Sequence, residues 1–308
     1  MLLLTLHHYP QSPIAEKIRM VFGMMEQEWQ SVQIPRIPPK PLLMPLTGGY
    51  RRTPVLQIGA DIYCDSQSIA RRLCNLQAGH RAYQPAEKGL EHIFGVFGET
   101  VLFNLTVRVI LTSSMGVAPE EFIQDRASLY FEPGWTVDEM KNTLSSTLLQ
   151  LQSTFDLIND HLLAHGPYMN GQRPSYADAV IQHCVWFLCE RWDGGENLVK
   201  PFEAICRNRE LITAIGHGSP TKLSAEQALQ IAKDHIPHSP KGIFSNYLGG
   251  LTQGQMISIR QHGTTSDPDV TGILRYLDNS TIAIDYEHPD IGLVAIHFPV
   301  LGYQISSL

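Results

Sequence analysis

Thr53-Pro54-Val55-Leu56-Gln57-Ile58-Gly59-Ala60-Asp61-Ile62-Tyr63-Cys64-Asp65-Ser66 reads as two short strands followed by the start of a helix. Pro54 opens the first strand, residues 54–58, where a missing N–H costs no ladder bond. Gly59-Ala60 supplies the hairpin turn and residues 61–64 the second strand. Ser66 caps a helix that runs through Leu76. Toward the N-terminus, residues 2–8 read as a strand. Ser12-Pro13 open a helix to about Met25, with Ser as a favoured N-cap and Pro suited to the first helical position. Ile14, Ile18, Val21, Phe22 and Met25 share one face of that helix. Residues 29–34 read as another strand. Pro35, Pro38, Pro39, Pro41 and Pro45 then predict an irregular loop with at most a short helix, ending in the turn Gly48-Gly49. The order over residues 1–80 is β-α-β-loop-β-β-α.

Toward the C-terminus the period changes. After a linker at residues 79–86, apolar residues recur at helical spacing over 87–114, 137–165 and 176–191, with a shorter run at 202–208. These predict an all-helical region, residues 86–217. Within it, Ser175 and Asp178 resemble a capping box, and they are assigned to folding. A boundary falls at Gly216-His217-Gly218-Ser219-Pro220. Residues 220–308 then predict a helix at 224–235 and period-two alternation at 255–260, 271–277, 281–286 and 292–297. Turns fall at Asp267-Pro268-Asp269 and Asp278-Asn279. The pattern is that of a compact antiparallel sheet or small barrel.

The 308 residues carry 43% hydrophobic and 17% charged side chains, which suits a globular chain of two or three domains. A formal net charge of −7 argues against nucleic-acid binding, which needs a basic face. The 5 cysteines show no CxxC spacing, consistent with free thiols in a reducing, cytoplasmic setting. The apolar start Met1-Leu2-Leu3-Leu4 is too short for a signal peptide, and no membrane span is expected. Of the 13 histidines, His7-His8 point to opposite strand faces, and His161 with His165 lacks a third ligand. No metal site is expected. Phe94, Phe97 and Phe103 fit either an apolar pocket or plain core.

Three corners carry possible chemistry. Tyr9-Pro10-Gln11-Ser12-Pro13 joins a strand to a helix N-terminus, which favours an anion by about 0.3–1 kcal/mol. A hydroxyl from Ser12, or from Tyr9, that donated to a thiolate there would lower the thiol pKa from about 8.5. Ser12 as an ordinary N-cap is the alternative. A cis bond at Thr53-Pro54 would leave the Thr53 backbone available to pair with an extended peptide. Asp65 and Ser66, at a helix start, suit the ammonium and carboxylate of an α-amino acid; they are equally a plain cap. Cys64 reads as a buried structural thiol or as a neighbour of that corner.

In this order the corners resemble the cytosolic glutathione S-transferase family. Ser12-Pro13-Ile14-Ala15-Glu16-Lys17-Ile18-Arg19 resembles its serine-type active-site segment. Thr53-Pro54-Val55-Leu56, Asp65-Ser66 and Ile69-Ala70 resemble its cis-proline and γ-glutamyl signature. Gly171-Gln172-Arg173-Pro174-Ser175-Tyr176-Ala177-Asp178 is similar to the capping motif of its second domain. The resemblance covers residues 1 to about 216. It implies an α/β thioredoxin-like N-terminal domain (1–80), an all-α helical domain (86–217) supplying most of the second-substrate pocket, and a small α+β, barrel-like extension (220–308) outside the resemblance. It implies glutathione as co-substrate, a small electrophile, a homodimer and a detoxifying transferase. Ser12 is the implied catalytic hydroxyl, with Tyr9 next. Thr53 and Pro54 are implied to hold the cysteinyl part, Asp65 and Ser66 the γ-glutamyl part, and Lys40, ahead of Arg51 or Arg52, the glycine carboxylate. A non-catalytic ligand- or protein-binding module on the same fold is the alternative function.

Overall fold

A computed structural model describes residues 3–76, 88–244, 250–263 and 267–308. The linker read at residues 79–86, the helix start read at Glu87, and Met1 and Leu2 lie outside the described residues. In chain order the elements begin with β1 (Leu4–His8), α1 (Pro13–Met24), β2 (Glu28–Gln33) and α2 (Met44–Thr47). Next come β3 (Val55–Ile58), β4 (Asp61–Cys64), α3 (Ser66–Leu76) and α4 (Lys88–Phe97). A π-helical turn at Gly98–Leu102 leads to α5 (Phe103–Ser114), α6 (Glu120–Tyr130), α7 (Val137–His165) and α8 (Tyr176–Arg191). α9 (Gly195–Val199), α10 (Glu203–Ile215), β5 (Ser219–Lys222) and α11 (Ala225–Lys233) follow. The chain closes with β6 (Gly242–Ile243), β7 (Met256–Gln261), β8 (Val270–Leu277), β9 (Thr281–His288), β10 (Gly292–Pro299) and β11 (Tyr303–Ser307). This is a thioredoxin-like N-terminal region, a helical region and a β-rich C-terminal region. Two compact units emerge, one of residues 1–15, 28–73 and 219–308, the other of residues 16–27 and 74–218.

The first unit is built on a sheet of eleven strands among the described residues, ordered β11-β7-β8-β9-β10-β4-β3-β1-β2-β5, with β6 on β8. β1 is buried along its whole length, flanked by β2 in parallel and β3 in antiparallel orientation. The alternation read at the C-terminus is there as the antiparallel run β7 to β10. That run continues the N-terminal sheet, because β10 pairs in parallel with β4, Ile296 opposite Ile62. On the other side β5 pairs with β2, Trp29 opposite Pro220. Both flanks of the four N-terminal strands, which would otherwise present unpaired N–H and C=O groups, are therefore covered by residues 219–307 of the same chain. One buried cluster joins Val32, Leu46, Val55, Ile62, Ala228, Leu274, Ile284 and Phe298. Gly48 ends α2 at φ 60°, and a Cβ there would come within 2.9 Å of Val270 Cγ1. The left-handed cap and the close approach both call for glycine.

The second unit is helical. Helix α7 starts at Thr136, whose hydroxyl accepts the Glu139 amide at 3.2 Å. Helix α8 starts at Ser175, whose amide and hydroxyl both donate to Asp178 Oδ2, at 2.8 and 2.9 Å. α6 was not evident in the sequence, having only Ile123, Ala127 and Leu129 buried. Residues 89–114 form a helical run long and apolar enough, by length and composition, to cross a membrane. That departs from the sequence reading. Its acids are met inside the unit, however: Glu91 accepts from Asn170 at 2.8 Å and Glu99 pairs with the fully buried Lys17. That is how a core helix satisfies buried charge.

Candidate functional site

The candidate residues all belong to the sheet unit, and strand register explains their grouping. His7 lies opposite Val55 in the β1–β3 pair, and Val55 lies opposite Cys64 in the β3–β4 pair. The corner that follows β1, the segment that precedes β3 and the corner that follows β4 therefore open at one end of the sheet. Tyr9 and Ser12 sit on the first, Thr53 and Pro54 on the second, Asp65 and Ser66 on the third.

At the first corner a turn brings the Ser12 amide to Tyr9 O at 3.1 Å. Ser12 Oγ accepts the Ala15 amide at 3.2 Å, so Ser12 is the N-cap of α1. That bond uses one lone pair of the hydroxyl. The O–H proton is a separate donor, so capping and donation to a sulfur are compatible. Ser12 is 2% exposed. Tyr9 is half-buried, its ring packed on the main cluster of the sheet unit.

At the second, the Thr53–Pro54 peptide bond is cis. Lys40 is buried, and its ammonium donates to Arg51 O at 2.7 Å and Thr53 Oγ1 at 3.0 Å. Arg51 Nε donates to Asp267 Oδ1 at 2.7 Å, and Arg52 Nε to the other oxygen of that carboxylate.

At the third, Asp65 rather than Ser66 is the N-cap of α3. Its carbonyl accepts the Ile69 amide at 3.0 Å and its Oδ1 the Gln67 amide at 2.8 Å. Ser66 is thereby the first helical residue, its amide among those at the helix start. Asp65 holds φ 74°, a left-handed conformation uncommon outside glycine. Its Oδ2 accepts the Tyr303 phenol at 3.0 Å. Cys64 is fully buried, and burial, then the Asp65 charge, pushes its thiol well above the ordinary range. A thiol so placed is inert.

Tyr303 and Asp267 were missed in the sequence as partners of this end. The signal for Asp267 was the turn read at Asp267-Pro268-Asp269, which says nothing of what a turn reaches; Tyr303 carried none. Among the described residues no group of three or more His, Cys, Asp or Glu side chains is placed to hold a metal. His161, half of the i,i+4 pair, contacts Met169 O at 2.9 Å.

A thioredoxin-like sheet with these three corners, together with a helical region, defines a glutathione S-transferase type of protein. The family model for the glutathione S-transferase N-terminal domain matches residues 6–81. Over the whole length of both chains, the protein is 31% identical to a GST-like protein from Pseudomonas syringae, with a TM-score of 0.77. The chain belongs to the glutathione S-transferase family. Poplar glutathione transferase F1 shares the fold at 13% identity and a TM-score of 0.51, covering 76% of this chain and 100% of its own. A glutathione transferase family member from Pseudomonas fluorescens, solved with two glutathione bound, does so at 12% and 0.53, covering 69% of this chain and 88% of its own. No curated protein sequence matches.

Proposed function

We propose that the protein is a glutathione transferase that activates the glutathione thiol for attack on a small electrophile. The observation that carries this reading is the convergence of the three corners at one sheet end through the His7, Val55 and Cys64 register. The glutathione bound to the Pseudomonas fluorescens relative supports it. In this reading Thr53 pairs its backbone with the cysteinyl residue beside the cis-proline Pro54. Asp65 and Ser66 take the γ-glutamyl ammonium and carboxylate. Lys40, on the loop that reaches Thr53, is the candidate for the glycine carboxylate. The Ser12 hydroxyl donates to the sulfur at the start of α1 and so favours the thiolate. The thiol proton passes to solvent. The sulfur pair forms the new S–C bond while the leaving group departs with its own electron pair. Binding supplies proximity, and the protein forms no covalent bond to substrate. The enzyme is read as a cytoplasmic homodimer, with residues 1–80, 86–217 and 220–308 as its three regions.

The test is retention on immobilised glutathione, followed by conjugation of chlorodinitrobenzene. Ser12→Ala is expected to lower turnover about hundredfold, the effect of removing one donor to a developing anion. Full turnover in Ser12→Ala with loss in Tyr9→Phe would transfer the role to Tyr9. A second reading, a non-catalytic binding module, is favoured by the 2% exposure of Ser12. Glutathione binding without turnover on a panel of electrophiles selects it.

A further inference from the structure

The C-terminal region reaches the candidate site at two places that the family's N-terminal signature does not include. Asp267 holds Arg51 and Arg52 beside Thr53. Tyr303, at the start of β11, donates its phenol to Asp65 Oδ2 at 3.0 Å. The second contact bears on recognition, because Asp65 is the carboxylate read as meeting an ammonium.

Several features fix that phenol. Tyr303 is tied to β7 opposite Gln261, and its amide donates to Val300 O at 3.3 Å across the turn. Its ring lies 5.3 Å from Phe298, which in turn lies 5.8 Å edge-on to Tyr50. Burial first, then the Asp65 charge, pushes the phenols of Tyr50 and Tyr303 well above the ordinary tyrosine range. Tyr303 is therefore a donor throughout the physiological range.

A carboxylate at a strained corner needs its plane fixed to meet a ligand cation in one geometry. The Gln67 amide holds Oδ1 and the Tyr303 phenol holds Oδ2, so both oxygens are tied. The phenol is a charge-assisted donor, of the stronger class of hydrogen bond. Each carboxylate oxygen has two lone pairs, so these two bonds orient the group and do not by themselves exhaust its acceptor capacity.

We infer that Tyr303 is a positioning residue for glutathione recognition, holding Asp65 in the orientation that receives the α-ammonium of the γ-glutamyl group. The C-terminal extension is thereby part of the specificity of the site. This rests on the glutathione reading above.

The experiment is calorimetric titration of the full-length protein with glutathione and with its desamino analogue, glutaryl-cysteinyl-glycine, which lacks only the α-ammonium. Wild type, Tyr303→Phe, Asp65→Asn, the double variant and Phe298→Leu are compared. Wild type is expected to prefer glutathione about tenfold, as for a charge-assisted bond. Tyr303→Phe is expected to cut that preference about fivefold, leave affinity for the analogue unchanged, and add nothing in the Asp65→Asn background. Phe298→Leu loosens the stack that holds the phenol but keeps the hydroxyl, and should cut the preference by less than Tyr303→Phe. An unchanged preference in Tyr303→Phe overturns the inference while the glutathione reading stands. So does an equal loss in Phe298→Leu, which would mark a packing effect. Tighter glutathione binding in Tyr303→Phe also overturns it, because the phenol would then be a competitor of the ammonium. Wild type that binds neither ligand removes the glutathione reading and the inference together.

Discussion

Helices α3 and α8 both begin at a serine and an aspartate, and the two starts are built oppositely. At α8, Asp178 is fully buried. It accepts from the Ser175 amide and hydroxyl at 2.8 and 2.9 Å, the Met169 amide at 2.9 Å and Asn208 Nδ2 at 2.8 Å. At α3, Asp65 is half-buried, in a left-handed conformation. Its donors include the local Gln67 amide and a phenol 238 positions further along the chain. The residue types are the same. The two differ in exposure and in the origin of the donors. A buried carboxylate saturated by neighbours can only hold the fold. A half-exposed one, braced from a distance, can meet a ligand.

The strongest way to break this comparison is Asp178→Ala. It leaves several buried donors without an acceptor and is expected to cost about 3–5 kcal/mol in urea unfolding. Asp65→Ala should cost about 1 kcal/mol, the value of one ordinary cap. Equal losses would erase the distinction.

Acid sharpens the comparison next. His7 in β1 and His183 in α8 are fully buried, and burial lowers their pKa to about 4 and about 3. The unfolded value is near 6.5. Their stabilisation is therefore whole above about pH 6.5 and is lost as pH falls toward 4 for His7 and 3 for His183, up to about 3 kcal/mol for His7. Asp178 has the opposite sign. Burial raises its pKa, so its protonated form is favoured in the fold and acid relieves its cost. His7→Gln should flatten the fall in urea midpoint between pH 6.5 and 4; an unchanged slope would assign acid unfolding elsewhere. The smallest effect on stability is expected from Asp65→Asn. Glutathione affinity should fall about tenfold, read by calorimetry, with the thermal midpoint moved by no more than about 3 °C. A larger loss of midpoint than of affinity would make Asp65 a folding residue like Asp178.

Local residue order was enough to read β1, α1, β3 and β4, because Ser12-Pro13, Gly59-Ala60 and the apolar periods act within a few positions. The same holds for α7, α8 and the alternating run β7 to β10. α6 was not legible, since its apolar positions are too sparse to set a period against the exposed Glu120 and Glu121. Strand β5 escaped too. All four of its residues are exposed, and its identity as a strand comes from pairing with β2.

What the sequence by itself determined are the candidate corners: a hydroxyl ahead of a helix, a proline ahead of a strand, an aspartate and serine at a helix start. Each is a matter of neighbours along the chain. Only the tertiary structure decided that residues 219–307 continue the N-terminal sheet on both flanks, and that Asp267 and Tyr303 meet Arg51, Arg52 and Asp65. Those contacts depend on strand pairing and on side chains more than 200 positions apart, and period-two alternation is the same whichever edge a strand joins.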